Sequence, residues 1–193
     1  RTPLLKNREF RLALASAIDR QSNLQARFRP GSSSTDHAPL NGPFLVNTWA
    51  YNPSVPQYST SQAKTHLANA GKENPGQLMK LQLIYPDNDT EAAAACSDIK
   101  RSWQSLGVEL DLIAVNADSF VDRVMKQHAF ELAYWRHDFK DESYWLSPLF
   151  NPADAKPGGM NFMGYVPGED LEKLFTRIDE HKMFRTIQKA SHD

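Results

Sequence analysis

Residues 130–150 read FELAYWRHDFKDESYWLSPLF and gather aromatic rings and carboxylates into one short stretch. Phe130, Leu132 and Tyr134 alternate with Ala133 and Trp135 in the pattern of a buried strand. The pattern breaks off in His137-Asp138-Phe139-Lys140-Asp141-Glu142, and a second aromatic pair, Tyr144-Trp145, opens a short helical piece. A strand that carries Trp135 and Asp138 at its carboxyl end stands where ligands bind in open α/β sheets. An aromatic wall beside one fixed negative charge suits a ligand with a cationic head and a less polar body. The chemistry this supports is binding rather than catalysis, because no paired base, nucleophile or metal set stands nearby.

The competing explanations for these side chains are ordinary ones. Asp138 is also the type of residue that caps a turn after a strand, and Trp135 on a strand is also plain core. Asp141 and Glu142 fit a solvated loop, and Tyr144 and Trp145 fit packing under it. His137 lies next to Asp138, and neighbouring strand residues point to opposite faces, so the two do not form a catalytic or metal pair. The remaining histidines lack ligand spacing, Ser32-Ser33-Ser34 has no partner base, and Pro157-Gly158-Gly159 lacks the strand, helix and Lys of a phosphate loop. Neither a metal nor a cofactor is expected.

Composition narrows the class. The 193 residues carry a formal net charge of −1 with no basic stripe, which gives nucleic acid no electrostatic footing as a partner. Apolar runs stay far below the ~20 residues of a membrane span. The single cysteine, Cys96, excludes an internal disulfide and a cysteine zinc cage; it falls in an Ala-rich helical pattern as a small buried thiol. Mean hydropathy is −0.57, and twelve prolines with nine glycines point to long ordered loops rather than disorder. The longest such loop is 29–58, which contains Trp49 and Tyr51 as candidates for the rim of a cleft.

The elements that hold the site follow from periodicity. Residues 7–28 are helical with Asn7 as N-cap and a break at Asp19-Arg20. Ser59 or Thr60 opens a helix over 61–70, which Gly71 ends in a left-handed conformation. Residues 79–85 and 108–115 alternate as strands. Between them Thr90 caps a helix whose face is Ala92, Ala95, Cys96, Ile99, Trp103 and Leu106, stopped by Gly107. Asp118 caps a helix over 119–127, the strand 130–136 follows, and a last helix over 169–182 uses Leu171, Leu174, Phe175 and Ile178. This β-α-β-α-β order requires crossovers, so the fold class is α/β with a mainly parallel sheet flanked by helices, in a single domain over 1–193.

Four phrases in order carry a family resemblance: REFRLALASAIDR at 8–20, TWAYNPSVPQYSTSQAKTHLANAG at 48–71, YWRHDF at 134–139 and MNFMGYVPGEDLEKLF at 160–175. Together they resemble the C-terminal lobe of the family 5 extracytoplasmic solute-binding proteins, the oligopeptide and dipeptide binders of ABC importers. The resemblance implies one lobe of a type II periplasmic-binding-protein fold, a fragment of a two-lobe protein that closes over its ligand. It implies that Asp138 pairs with the α-ammonium of a peptide-like solute, that Trp135 packs near the bound chain, and that Asn161 and Tyr165 lie near the cleft. The implied partners are the solute, the ABC importer membrane subunits and the missing N-terminal lobe. The implied setting is periplasmic or extracytoplasmic, with a lipoprotein anchor on the parent compatible with it. The sequence departs from the family pattern at Ser143, where a proline usually stands. A ligand-sensing domain of a regulator would read the same over these residues, and a carboxylate-dependent hydrolase using Asp138, Asp141 or Glu142 is the enzyme alternative.

Overall fold

The computed structural model of the protein describes residues 2–33, 38–40, 42, 44, 51–52, 57–73, 76, 78–136, 147–165, 168–180 and 189. Helix α1 (Arg8–Ser16) starts where Asn7 accepts the Phe10 N–H at 3.0 Å. It ends at a break, and α2 (Arg20–Asn23) restarts under the Asp19 cap before a π-helical turn, Leu24–Phe28. Arg20 closes the break by donating to the Ala15 and Ile18 carbonyls at 3.1 and 3.3 Å. Helix α3 (Thr60–Glu73) is capped by Ser59, whose hydroxyl accepts the Gln62 N–H. It runs through Gly71, which does not have the expected left-handed conformation. Asn7 donates to Glu73, so α3's extra turn is held to the start of α1.

Strand β1 (Lys80–Pro86) pairs in parallel with β2 (Glu109–Val115) over seven residues and with β3 (Leu132–Ala133) over two, giving the order β2-β1-β3. Helix α4 (Thr90–Gln104) is the first crossover, and Gly107 at φ +83° stops it before β2. Its cap is Asp89, which accepts the Ala92 N–H at 2.8 Å, rather than Thr90; a carboxylate also complements the helix dipole. Helix α5 (Ala117–Val121) is likewise opened by Asn116, not Asp118, through bonds from the Asp118 and Ser119 N–H groups, and continues as a π-helical turn, Asp122–Lys126. The expected strand over 130–136 is much shorter. Glu131 takes the place of a ladder partner by accepting the Gln82 N–H at 2.8 Å, and Tyr134 donates its N–H to Ile84.

The chain divides into two compact units, Arg1–Asn41 with Pro56–Phe120 and Phe130–Arg136, and Gly42–Val55 with Val121–Ala129 and His137–Asp193. The first unit holds the sheet. Its core joins Phe10 and Leu14 of α1, Ala63 and Ala70 of α3, Cys96 and Trp103 of α4, Leu81 and Leu83 of β1 and Leu110 of β2. Small alanines on α3 let α1 approach closely. Fully burying a ring such as Phe10 contributes about 1.5–3 kcal/mol. Trp103 donates its indole N–H to the Leu14 carbonyl at 3.1 Å, which joins α4 to α1. The second unit contains helix α6 (Ser147–Phe150), a 3-10 turn at Pro152–Asp154 and helix α7 (Glu169–Glu180).

Candidate functional site

The order β2-β1-β3 makes the chain reverse direction across β1. The carboxyl ends of β1 and β3 therefore flank a topological switch point, the usual ligand crevice of an open α/β sheet. Alternation along β3 sends Leu132 and Tyr134 against the core and leaves Trp135 on the other side, where its ring stacks on Phe120 at 5.8 Å and 30°. Arg136 donates to Asp89 at 3.0 Å, and Asp89's other oxygen holds the cap of α4. One carboxylate thus ties the turn after β1 to the end of β3. Burial pushes the Tyr134 phenol up, reinforced by nearby Cys96 and Asp89 and opposed by Arg136, so it stays protonated near neutral pH.

A second constellation lies wholly in the second unit. Asn161 is fully buried, and its amide donates to the carbonyls of Asn151 at 3.2 Å and Tyr165 at 2.7 Å. Its side-chain oxygen accepts the Tyr165 N–H at 3.1 Å. Tyr165 remains 42% exposed as a residue, and its ring meets Phe150 edge-on at 5.6 Å, while Phe150 stacks on Phe175 of α7 at 6.1 Å. His128, at φ +52°, shares a 3.3 Å hydrogen bond with the Gly159 carbonyl. Gly159 has no room for a side chain, since a Cβ there would meet the Asp154 carbonyl oxygen at 2.0 Å.

Of the five residues the sequence proposed, Asp138 and Trp49 lie outside the described residues, as do His137, Asp141, Glu142, Tyr144 and Trp145. Trp135 is in the first unit; Asn161 and Tyr165 are in the second and bonded to each other. Sequence reasoning missed the Asp89–Arg136 pair, although an acid in the turn after one strand and an arginine at the end of another were visible signals. It also missed Phe150 as the partner of Tyr165. Among the described residues, no group of three His, Cys, Asp or Glu side chains is placed to hold a metal ion, and no helix is long and apolar enough to cross a membrane.

A small parallel sheet flanked by helices is the architecture of a lobe of a periplasmic-type binding protein. The chain belongs to the bacterial extracellular solute-binding proteins, family 5, whose "Middle" model matches residues 1–157. Solved structures give the same fold. The oligopeptide-binding protein AppA from Bacillus subtilis, in complex with a nonapeptide, has a TM-score of 0.76 at 19% identity; the match covers 99% of this chain and 39% of that one. The periplasmic binding protein DppA from Helicobacter pylori, in complex with the peptide STSA, has a TM-score of 0.77 at 18% identity, covering 99% and 36%. NikZ from Campylobacter jejuni, in complex with Ni(L-His), has a TM-score of 0.76 at 18% identity, covering 99% and 39%. The chain therefore spans less than two fifths of the length of these relatives. No curated protein matches its sequence.

Proposed function

We propose that this chain is the C-terminal lobe of an extracytoplasmic solute-binding protein that delivers a peptide-like solute to the membrane subunits of an ABC importer. The missing N-terminal lobe of the same parent closes over the solute, and no bond is made or broken. Family membership over 1–157 supports a binding role. The observation that carries the site is Trp135, which stacks on Phe120 directly at the carboxyl end of β3, beside the switch point. Asp138, three residues further along the chain, neutralises the solute's cationic end. Trp135, Tyr165 and Trp49 supply aromatic contact that tolerates many side chains.

Such an anchor confers selectivity more than affinity, because a buried charge is costly unless its partners are all present. The test uses the intact parent. Native mass spectrometry of the parent mixed with a tryptic casein digest identifies the most strongly retained peptide, and calorimetry gives its dissociation constant. Asp138→Asn should weaken that peptide by about 2–5 kcal/mol, the usual loss when one partner of a buried charged pair is removed. An unchanged dissociation constant rejects the anchor.

A further inference from the structure

We propose that Asn161 is a positioning residue for solute binding, acting entirely through Tyr165. This rests on the reading of Tyr165 as a solute contact given above.

The chemistry of the amide sets the argument. Asn161 has two side-chain N–H donors and one carbonyl oxygen, and all of this group is directed at main chain: Asn151 O, Tyr165 O and Tyr165 N. Reversing the amide would turn its oxygen toward two carbonyls, so the orientation is fixed by its partners. Two of the three bonds clamp one residue, Tyr165, on both its N–H and its C=O. The side chain is fully buried, so the solute does not reach it. The residue it clamps is the opposite case, exposed overall and with its ring backed by Phe150 and, behind that, Phe175.

The loop around this clamp is irregular, and irregular chain has no ladder to fix it. Two further devices hold it. Gly159 allows the chain to touch the Asp154 carbonyl, and the Asn161 N–H donates to that same carbonyl at 3.2 Å. His128 adopts a left-handed backbone, unfavourable for its type, at the point where its ring reaches Gly159. Strained and over-determined backbone of this kind collects at ligand-binding segments. Here it fixes the backbone that carries the exposed Tyr165, and an aromatic side chain on a fixed backbone, backed by Phe150, loses less entropy when a solute lands on it.

The test is a double-mutant cycle in the intact parent with the casein-derived peptide, read by calorimetry, together with amide hydrogen exchange at Tyr165. Tyr165→Ala should weaken binding about tenfold or more, as loss of an aromatic anchor does. Asn161→Asp sets a carboxylate oxygen against two carbonyls, so it should weaken binding to a similar degree at pH 7.5 and speed exchange of the Tyr165 amide. Lowering the pH should relieve that defect, because the protonated carboxyl regains one donor. The double variant should bind no more than about twofold weaker than Tyr165→Ala alone, since side chains acting as a unit are not additive. Asn161→Ser serves in the same cycle if Asn161→Asp does not fold. Additive losses, or faster exchange with unchanged affinity, overturn the positioning role and leave Tyr165 as a contact. No effect of Tyr165→Ala, or no retained peptide at all, overturns the contact and the positioning role together.

Discussion

Cys96 shows how burial decides reactivity at a single residue. It is fully buried, and burial, reinforced by the negative charge of Asp89, pushes its thiol pKa up to about 12. The thiolate is the reactive form, so the native protein should resist aromatic disulfide reagents at pH 8 and react only on unfolding. Stoichiometric labelling of the folded chain at the rate of a free thiol would refute the sealed position. Trp103 offers a second single-residue test. Its indole N–H is the partner of the Leu14 carbonyl in the core, so Trp103→Phe keeps an aromatic ring but leaves that carbonyl unsatisfied. The expected loss is about 1–3 kcal/mol in urea denaturation, the cost of stranding a buried polar group. A variant as stable as the parent would mean the carbonyl finds another partner.

Pairs between elements carry the acid sensitivity of the fold. The Arg27 guanidinium of the π-helical turn meets Asp98 of α4 in a two-pronged contact at 2.7 and 3.0 Å, and Arg101 adds a third bond. The Arg27 bond first, then Arg101, holds the Asp98 carboxyl below its ordinary value, against the opposing effect of burial. Glu9 of α1 is also held low, chiefly by His66 of α3 at 2.8 Å. A folded pKa below the unfolded one stabilises fully above the unfolded value, and that stability disappears as pH falls through the folded value. Urea midpoints should therefore drop below about pH 4, where carboxylates begin to protonate. Asp98→Asn should lower stability at pH 7 by about 1–3 kcal/mol and flatten that acid limb; an unchanged limb would exclude Asp98 as its source. Elements were the most legible part of the sequence. Asn7, Gly107 and the parallel β-α-β order follow from local chemistry and crossover length. Thr90 and Asp118 were misread as caps because each has a better-placed neighbour, Asp89 or Asn116, and one-residue shifts in a cap do not alter hydrophobic spacing. The strand at 130–136 was overestimated because Glu131 replaces a rung with its side chain, which no alternation pattern reveals. At the candidate site, Trp135's place at a strand end was legible. The full burial of Asn161 was not, because its partners are main-chain atoms of Asn151 and Tyr165, set by the path of the loop rather than by side-chain identity.

The chain spans 39% of the AppA structure it resembles, and that proportion bears on how the whole molecule would bind. Binding sites for small ligands bury about 70–90% of the ligand surface, and closure of a second element excludes water and strengthens the remaining polar contacts. In the proposed parent, the switch point beside Trp135 is one wall of such a site. If the proposed two-lobe parent is correct, the wall alone offers a solute one aromatic face and one carboxylate in open water, where an exposed ion pair contributes about 0–1 kcal/mol. The 193-residue chain by itself should then bind the peptide retained by its parent with a dissociation constant of about 1 mM or weaker, equivalent to roughly −4 kcal/mol. Calorimetry on the two proteins side by side, at equal ionic strength, measures the difference directly. On the proposed two-lobe account closure rather than contact chemistry supplies that difference, so Asp138→Asn should matter far less in the isolated chain than in the parent. Micromolar binding by the isolated chain would mean that these residues already enclose a complete site, and the two-lobe account of how solute is held would have to be abandoned.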